Sequence, residues 1–297
     1  MRGTATSVLC ALAVAGVTAV SGAPAQAAPV RGVLLATQST ATVRIDPATG
    51  QELGTVGAGA GAAVSRSGRL AYSRDVDPCH PDVEGCFGAP DLLTARRDGS
   101  RERVIVHNPE AGGGVALPDW SPDGTKLVYL WLTPGERGLN LVNANGTGNE
   151  QLVSFAGPGT FSPDGRSVAF VKDSDVHVID LETREIRAVT AEGLAAMSAP
   201  DWSPDGQVIV YAGQTEFLTV PAAGGASVHA GQWPNLLDQV TAPVFSPNGR
   251  WVAFTATESS TNPEEPAVSR LFVAAVDGSR LTAVTDTYAQ LTDWIRR

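Results

Sequence analysis

Ser121-Pro122-Asp123-Gly124 recurs as Ser162-Pro163-Asp164-Gly165, Ser203-Pro204-Asp205-Gly206 and Ser246-Pro247-Asn248-Gly249, at spacings of 41, 41 and 43 residues. Each copy is a tight turn by its own chemistry. Pro pre-sets φ at the second position, Asp or Asn bonds back to nearby backbone N–H groups, and Gly takes the positive φ that other residues avoid. An aromatic precedes every copy: Trp120, Phe161, Trp202 and Phe245. A short apolar run follows, as in Leu127-Val128-Tyr129, Val168-Ala169-Phe170 and Val252-Ala253-Phe254. A worn copy, Ser65-Arg66-Ser67-Gly68, lies 56 residues before the first clear one, and the extra length contains Cys79 and Cys86.

Working outward, each unit continues into a second apolar run such as Val176-His177-Val178-Ile179, a polar turn, and another short run such as Arg187-Ala188-Val189. No unit carries a 3.6-residue apolar period over a helical length. The reading is a four-stranded antiparallel meander of about 41 residues, the size of a propeller blade. The two ends complete each other. Leu291-Thr292-Asp293-Trp294-Ile295 matches the aromatic strand that opens a unit, whereas Gly32-Val33-Leu34-Leu35-Ala36 matches the strand after it. Six blades follow: 30–57 with 289–297, then 58–107, 112–153, 157–190, 196–230 and 240–286. The predicted fold is an all-β, six-bladed β-propeller closed by pairing of the C-terminal strand with the N-terminal strands. Closure removes the free sheet edges that invite aggregation.

The tandem Pro-x-[Trp/Phe]-Ser-Pro-[Asp/Asn]-Gly turn followed by an apolar strand resembles the WD-repeat-like β-propeller repeat of the TolB family. The resemblance covers essentially the whole chain after residue 27. It implies a rigid disc whose face loops or central channel engage a partner. The same blades occur in peptidase propeller domains and some polysaccharide lyases, so fold alone assigns no activity. TolB proteins carry an α/β domain ahead of the propeller. Here the propeller is expected to start near Pro29.

Residues 1–27 read as a cleavable signal peptide. Arg2 precedes an apolar stretch from Val8 to Val20, and Ala25-Gln26-Ala27 supplies a small–x–small cleavage pattern. Residues 28–297 are then the propeller, expected outside the cytoplasm as a secreted protein without membrane insertion and as a monomer. Cys79 and Cys86 are the expected disulfide of that compartment. The full chain has 21 basic and 31 acidic side chains, a formal charge of −10. Such a balance repels nucleic-acid phosphates. The expected partner is a protein, peptide or glycan.

The chemistry-bearing residues are sparse. No Gly-x-Ser-x-Gly elbow occurs, and His80, His107, His177 and His229 are scattered. Asp119, Asp201 and Asp293 each precede a blade-opening Trp, on alternate blades. Three carboxylates converging on the axis would suit a hard cation such as Ca²⁺ or attract a cationic ligand. The alternative is that each bonds a neighbouring backbone N–H. No other cofactor is expected. The recurring aromatics read as inter-blade core. Partner contacts are expected from irregular segments, with Trp233 in one and Glu258, Glu264 and Glu265 in an acidic one. The leading functional expectation is a non-enzymatic binding module. The alternatives are a cell-wall or polysaccharide hydrolase or lyase using channel carboxylates, and a subunit of a cell-envelope assembly.

Overall fold

The computed structural model describes residues 30–38, 41–74, 90–108, 113–230, 233, 237–258, 269–285 and 289–295. These contain strands and turns and no helix. The expected signal peptide, Cys79, Cys86, Glu264 and Glu265 lie outside the described residues.

Blade I contains β1 (Val33–Gln38), β2 (Ala41–Ile45) and β3 (Glu52–Ala58). Blade II contains β4 (Ala60–Val64), β5 (Arg69–Arg74), β6 (Asp91–Arg96) and β7 (Arg103–Val106). Blade III contains β8 (Gly114–Trp120), β9 (Lys126–Leu132), β10 (Arg137–Asn143) and β11 (Glu150–Ser154). Blade IV contains β12 (Gly159–Phe161), β13 (Ser167–Lys172), β14 (Asp175–Asp180) and β15 (Ile186–Ala188). Blade V contains β16 (Asp201–Trp202), β17 (Val208–Ala212), β18 (Phe217–Pro221) and β19 (Val228–Ala230). Blade VI contains β20 (Leu237–Phe245), β21 (Trp251–Glu258), β22 (Ser269–Ala275) and β23 (Leu281–Ala283). The last strand, β24 (Gln290–Ile295), returns to blade I, whose order is β24-β1-β2-β3. Its register sets Leu34 opposite Trp294 and Val33 opposite Ile295, which is the expected closure.

The core is divided among the blade junctions. Six buried apolar clusters each draw on two neighbouring blades. Between blades IV and V, Ala169, Val171 and Val178 meet Trp202, Ile209 and Tyr211. A second strand is therefore covered on both faces, and β13 and β17 are buried almost end to end instead of alternating. That is why those strands read as continuous apolar runs. The blade-opening aromatics Trp120, Phe161, Trp202, Phe245 and Trp294 are 5–8% exposed. They are inter-blade core, as their recurrence predicts.

The repeated turn behaves as its residues dictate. In blade III the N–H of Gly124 donates to Ser121 O at 2.8 Å. Ser121 Oγ donates to Asp123 Oδ1 at 2.6 Å, and Asp123 Oδ1 accepts the Thr125 N–H at 3.0 Å. Gly124 has φ of 70°. The turns also nest around the ring. A methyl on Gly165 would lie 3.3 Å from Pro122 Cδ, and one on Gly249 would lie 3.3 Å from Pro204 Cδ. Each Pro thus seats the glycine of the next blade's turn, a second reason for both residues.

Candidate functional site: the central funnel

The inner strands and their turns surround a funnel of about 1330 Å³. Its rim is built from the repeated turns, including Ser65, Ser121, Pro163, Pro204 and Pro247. Its wall carries the opening aromatics, and Asp119, Asp201 and Asp293 all reach it. The three aspartates, from alternate blades, thus line one cavity.

Each one clamps the next blade. Asp119 Oδ2 accepts the backbone N–H of Phe161 at 2.7 Å, joining blade III to blade IV. Asp201 Oδ2 accepts that of Phe245 at 2.7 Å, joining V to VI. Asp293 Oδ2 accepts that of Val64 at 3.4 Å, joining I to II. Asp293 Oδ1 also accepts the N–H of Trp294 at 2.6 Å, and the N–H groups of Trp120 and Trp202 face Asp119 and Asp201 in the same way. The intervening blades use other groups. Thr160 Oγ1 donates to Pro200 O at 2.8 Å, and Trp202 Nε1 donates to Thr160 O at 3.2 Å.

Protein surrounds these carboxyl groups while each residue keeps some surface open to the funnel. Burial pushes the Asp119 carboxyl up to about 8, against the N–H of Phe161, with the charges of Asp293 and Asp201 adding to the rise. Burial raises Asp201 to about 7, against the N–H of Phe245, and Asp293 adds to the rise. Burial raises Asp293 to about 6, against the N–H groups of Val64 and Trp294. Among the described residues no group of three His, Cys, Asp or Glu side chains is placed to hold a metal ion. Each of the three carboxyl groups is an acceptor of backbone N–H groups, one at every second junction.

Of the other proposed contact residues, Trp233 does not line the funnel. Trp233 packs between blades V and VI, its ring centroid 5.9 Å from that of Phe217 and 5.8 Å from that of Phe254. Glu258 ends β21, opposite Leu237. The described histidines are dispersed: His107 pairs with the buried Asp91 carboxylate at 3.1 Å, His229 with Glu216 at 2.9 Å, and His177 stacks on Phe170.

Sequence reading overlooked the basic side of the rim. Arg66, Arg69, Arg96 and Arg97 line the funnel together with Asp98, all from blade II. Arg69 lies over the Trp120 ring, 4.8 Å from its centroid. The worn turn was the available signal. Arg66 stands where the clear copies have Pro, and the turn is one residue shorter. Arg69 N–H donates to Ser65 Oγ four residues back, whereas Lys126 N–H reaches Ser121 Oγ five residues back.

No family model matches the chain. An uncharacterized protein, Atu1656, of Agrobacterium fabrum is 29% identical over 138 residues, covering 41% of this chain and 46% of that protein. The Tol-Pal system protein TolB of Francisella tularensis subsp. mediasiatica is 23% identical over 109 residues, 34% of this chain and 25% of its own. The chain thus spans less than half the length of these relatives. Among solved structures, TolB from Acinetobacter baumannii superposes with a TM-score of 0.64 at 16% identity, covering 90% of this chain and 67% of that one. A putative TolB from Agrobacterium tumefaciens gives 0.61 at 16% identity, covering 89% and 92%. An oligogalacturonate lyase in complex with manganese gives 0.54 at 18% identity, covering 82% and 74%. By fold, the chain is a TolB-like six-bladed β-propeller.

Proposed function

We propose that the protein is an extracytoplasmic, non-enzymatic binding module that receives a segment of a partner protein in its central funnel. One observation carries this reading. The funnel's three carboxyl groups are each engaged by backbone N–H groups of two blades, so they act as blade clamps. What remains open to a visitor is the rim of turns, held rigidly by the disc. A cavity of about 1330 Å³ exceeds the 300–1,000 Å³ usual for small ligands and suits a chain segment. The signal-peptide pattern of residues 1–27 supports a location outside the cytoplasm. The relatives named as Tol-Pal system proteins support a place in an envelope assembly.

The competing reading is a polysaccharide lyase or hydrolase acting through the same carboxyl groups. It is favoured by their raised affinity for protons, the property of a general acid near neutral pH. Position-specific photo-crosslinking separates the two. A benzophenone side chain placed at Ser67 or Pro247 on the rim is expected to capture a partner, and one at Val104 on the outermost strand of blade II is not. Equal capture from both positions overturns the funnel reading. Turnover of a polyuronate or a cell-wall glycan that disappears in Asp119→Asn establishes the enzyme instead.

A further inference from the structure

We propose that the blade II sector of the funnel rim, formed by Arg66, Arg69, Arg96 and Arg97, recognises the carboxylates of an acidic peptide segment. The inference rests on the funnel being the binding site and names the chemistry it selects.

The first support is concentrated charge. The chain is acidic overall, at −10, yet four guanidinium groups gather on one sector of one cavity. The ion pairs among the described residues include Arg74–Glu102, His107–Asp91, Arg184–Glu150 and His229–Glu216, and none of the four arginines is in one of these; Arg96 acts on the exposed Asp98 carboxylate as a nearby charge. Asp98, the acid beside them, is turned to its own loop: its Oδ1 accepts the Ser100 N–H at 2.9 Å. The remaining acids of the cavity are the clamped aspartates.

The second support is arrangement. Arg69 and Arg96 are direct cross-strand partners on β5 and β6, and like charges in that relation oppose folding. Arg69 is fixed by its stacking on Trp120 and by a bond from Nη2 to Ala144 O at 3.4 Å. Arg66, Arg96 and Arg97 are exposed around it. The result is one pre-placed guanidinium flanked by three adaptable ones. Guanidinium forks bind carboxylates bidentately, and a fixed fork loses less freedom on binding.

The third support concerns the ligand class. A sugar chain gains affinity by stacking on open aromatic faces. Here the five funnel aromatics are 5–8% exposed, and Trp120 already carries Arg69. Among the described residues no free platform faces the funnel. A peptide needs none, because its carboxylates supply the contacts.

The probe is a fluorescein-labelled hexaglutamate peptide, read by fluorescence anisotropy on the full chain. Hexaglutamine and hexalysine of equal length, trigalacturonate and inorganic phosphate serve as comparisons. Hexaglutamate is expected to bind and hexaglutamine and hexalysine are not. The double variant R66S/R97S is expected to weaken binding tenfold or more, and R69Q to weaken it as well. Both double-variant positions are exposed, and circular dichroism confirms the fold. The control R137S/R184S, on blades III and IV away from the rim, is expected to leave binding unchanged. An equal loss in that control reduces the effect to overall charge and overturns the site. Tighter binding of trigalacturonate than of hexaglutamate overturns the peptide assignment, as does full competition by millimolar phosphate. Failure of hexaglutamate while hexaglutamine or hexalysine binds overturns the acidic assignment and leaves the funnel reading standing. No binding by any peptide, with no crosslink from the rim, overturns both.

Discussion

Asp119 and Phe161 are 42 residues apart and meet across a blade junction, where the Phe161 N–H donates to Asp119 Oδ2 at 2.7 Å. The same relation holds between Asp201 and Phe245, and more loosely between Asp293 and Val64. Removing the acceptor leaves a backbone donor unpaired at the edge of the core, a loss of about 1–3 kcal/mol. For a domain of this size Asp119→Ala is expected to lower Tm by about 2–10 °C. Asp201→Ala should match it, and Asp293→Ala should cost less, because its contact is 3.4 Å. Scanning calorimetry of the three variants checks that order.

The raised carboxyl values predict stability that declines with rising pH. The folded chain keeps protons on Asp119, Asp201 and Asp293 that the unfolded chain releases above about pH 4. The folded state therefore binds more protons, and its advantage is lost as pH climbs through about 6, 7 and 8. Tm is expected to fall by several degrees between pH 5 and 8.5 at constant ionic strength. The triple Asp→Asn variant should flatten that slope. The turn residues Asp123 and Asp164 act oppositely, since bonds from the Ser121 and Ser162 hydroxyls hold them below the usual carboxylate range. Their contribution is present above the unfolded value and is lost in stronger acid.

Calcium is expected to leave the protein unmoved. The three aspartates sit on separate junctions, and no chelating group of three occurs among the described residues. Addition of millimolar Ca²⁺ after chelator treatment should shift Tm by less than about 1 °C, whereas a bound ion at a hundred times its Kd would add about 2.7 kcal/mol.

Trp294 locks the ring, buried opposite Leu34 and donating from Nε1 to Arg31 O at 3.0 Å. Trp294→Ala removes that bond and a large buried ring, and a loss of about 3–5 kcal/mol is expected. Urea titration should show the full effect. An unchanged midpoint would mean that the propeller holds together without its closing strand.

The blades were legible because the turn motif is local: Ser, Pro, Asp and Gly determine their own geometry wherever they stand. The closing strand was legible by pattern, since Leu291–Ile295 matches a blade-opening strand and Gly32–Ala36 matches the strand that follows one. The alternate placement of Asp119, Asp201 and Asp293 followed from repeat phase. Their acceptor role was only one of two readings, because it depends on an N–H group that the next blade brings back some 42 residues later. The arginine rim was hidden by the wear of its own repeat. Arg66 in place of Pro reads as decay until the fold shows that this position faces the funnel. Trp233 stood out because it matched no repeat position, yet that irregularity serves packing against Phe217 and Phe254.

The join in blade I also sets how the disc responds to force. Val33 and Ile295 face each other at the same end of an antiparallel pair. Tension between the segments leading into Val33 and out of Ile295 would load that first rung alone and then each rung in turn, like a zipper, with no sharing of the load in shear. The β1–β24 pair is mechanically weak when pulled apart at this end. Any tether that holds it under strain can safely use one end only.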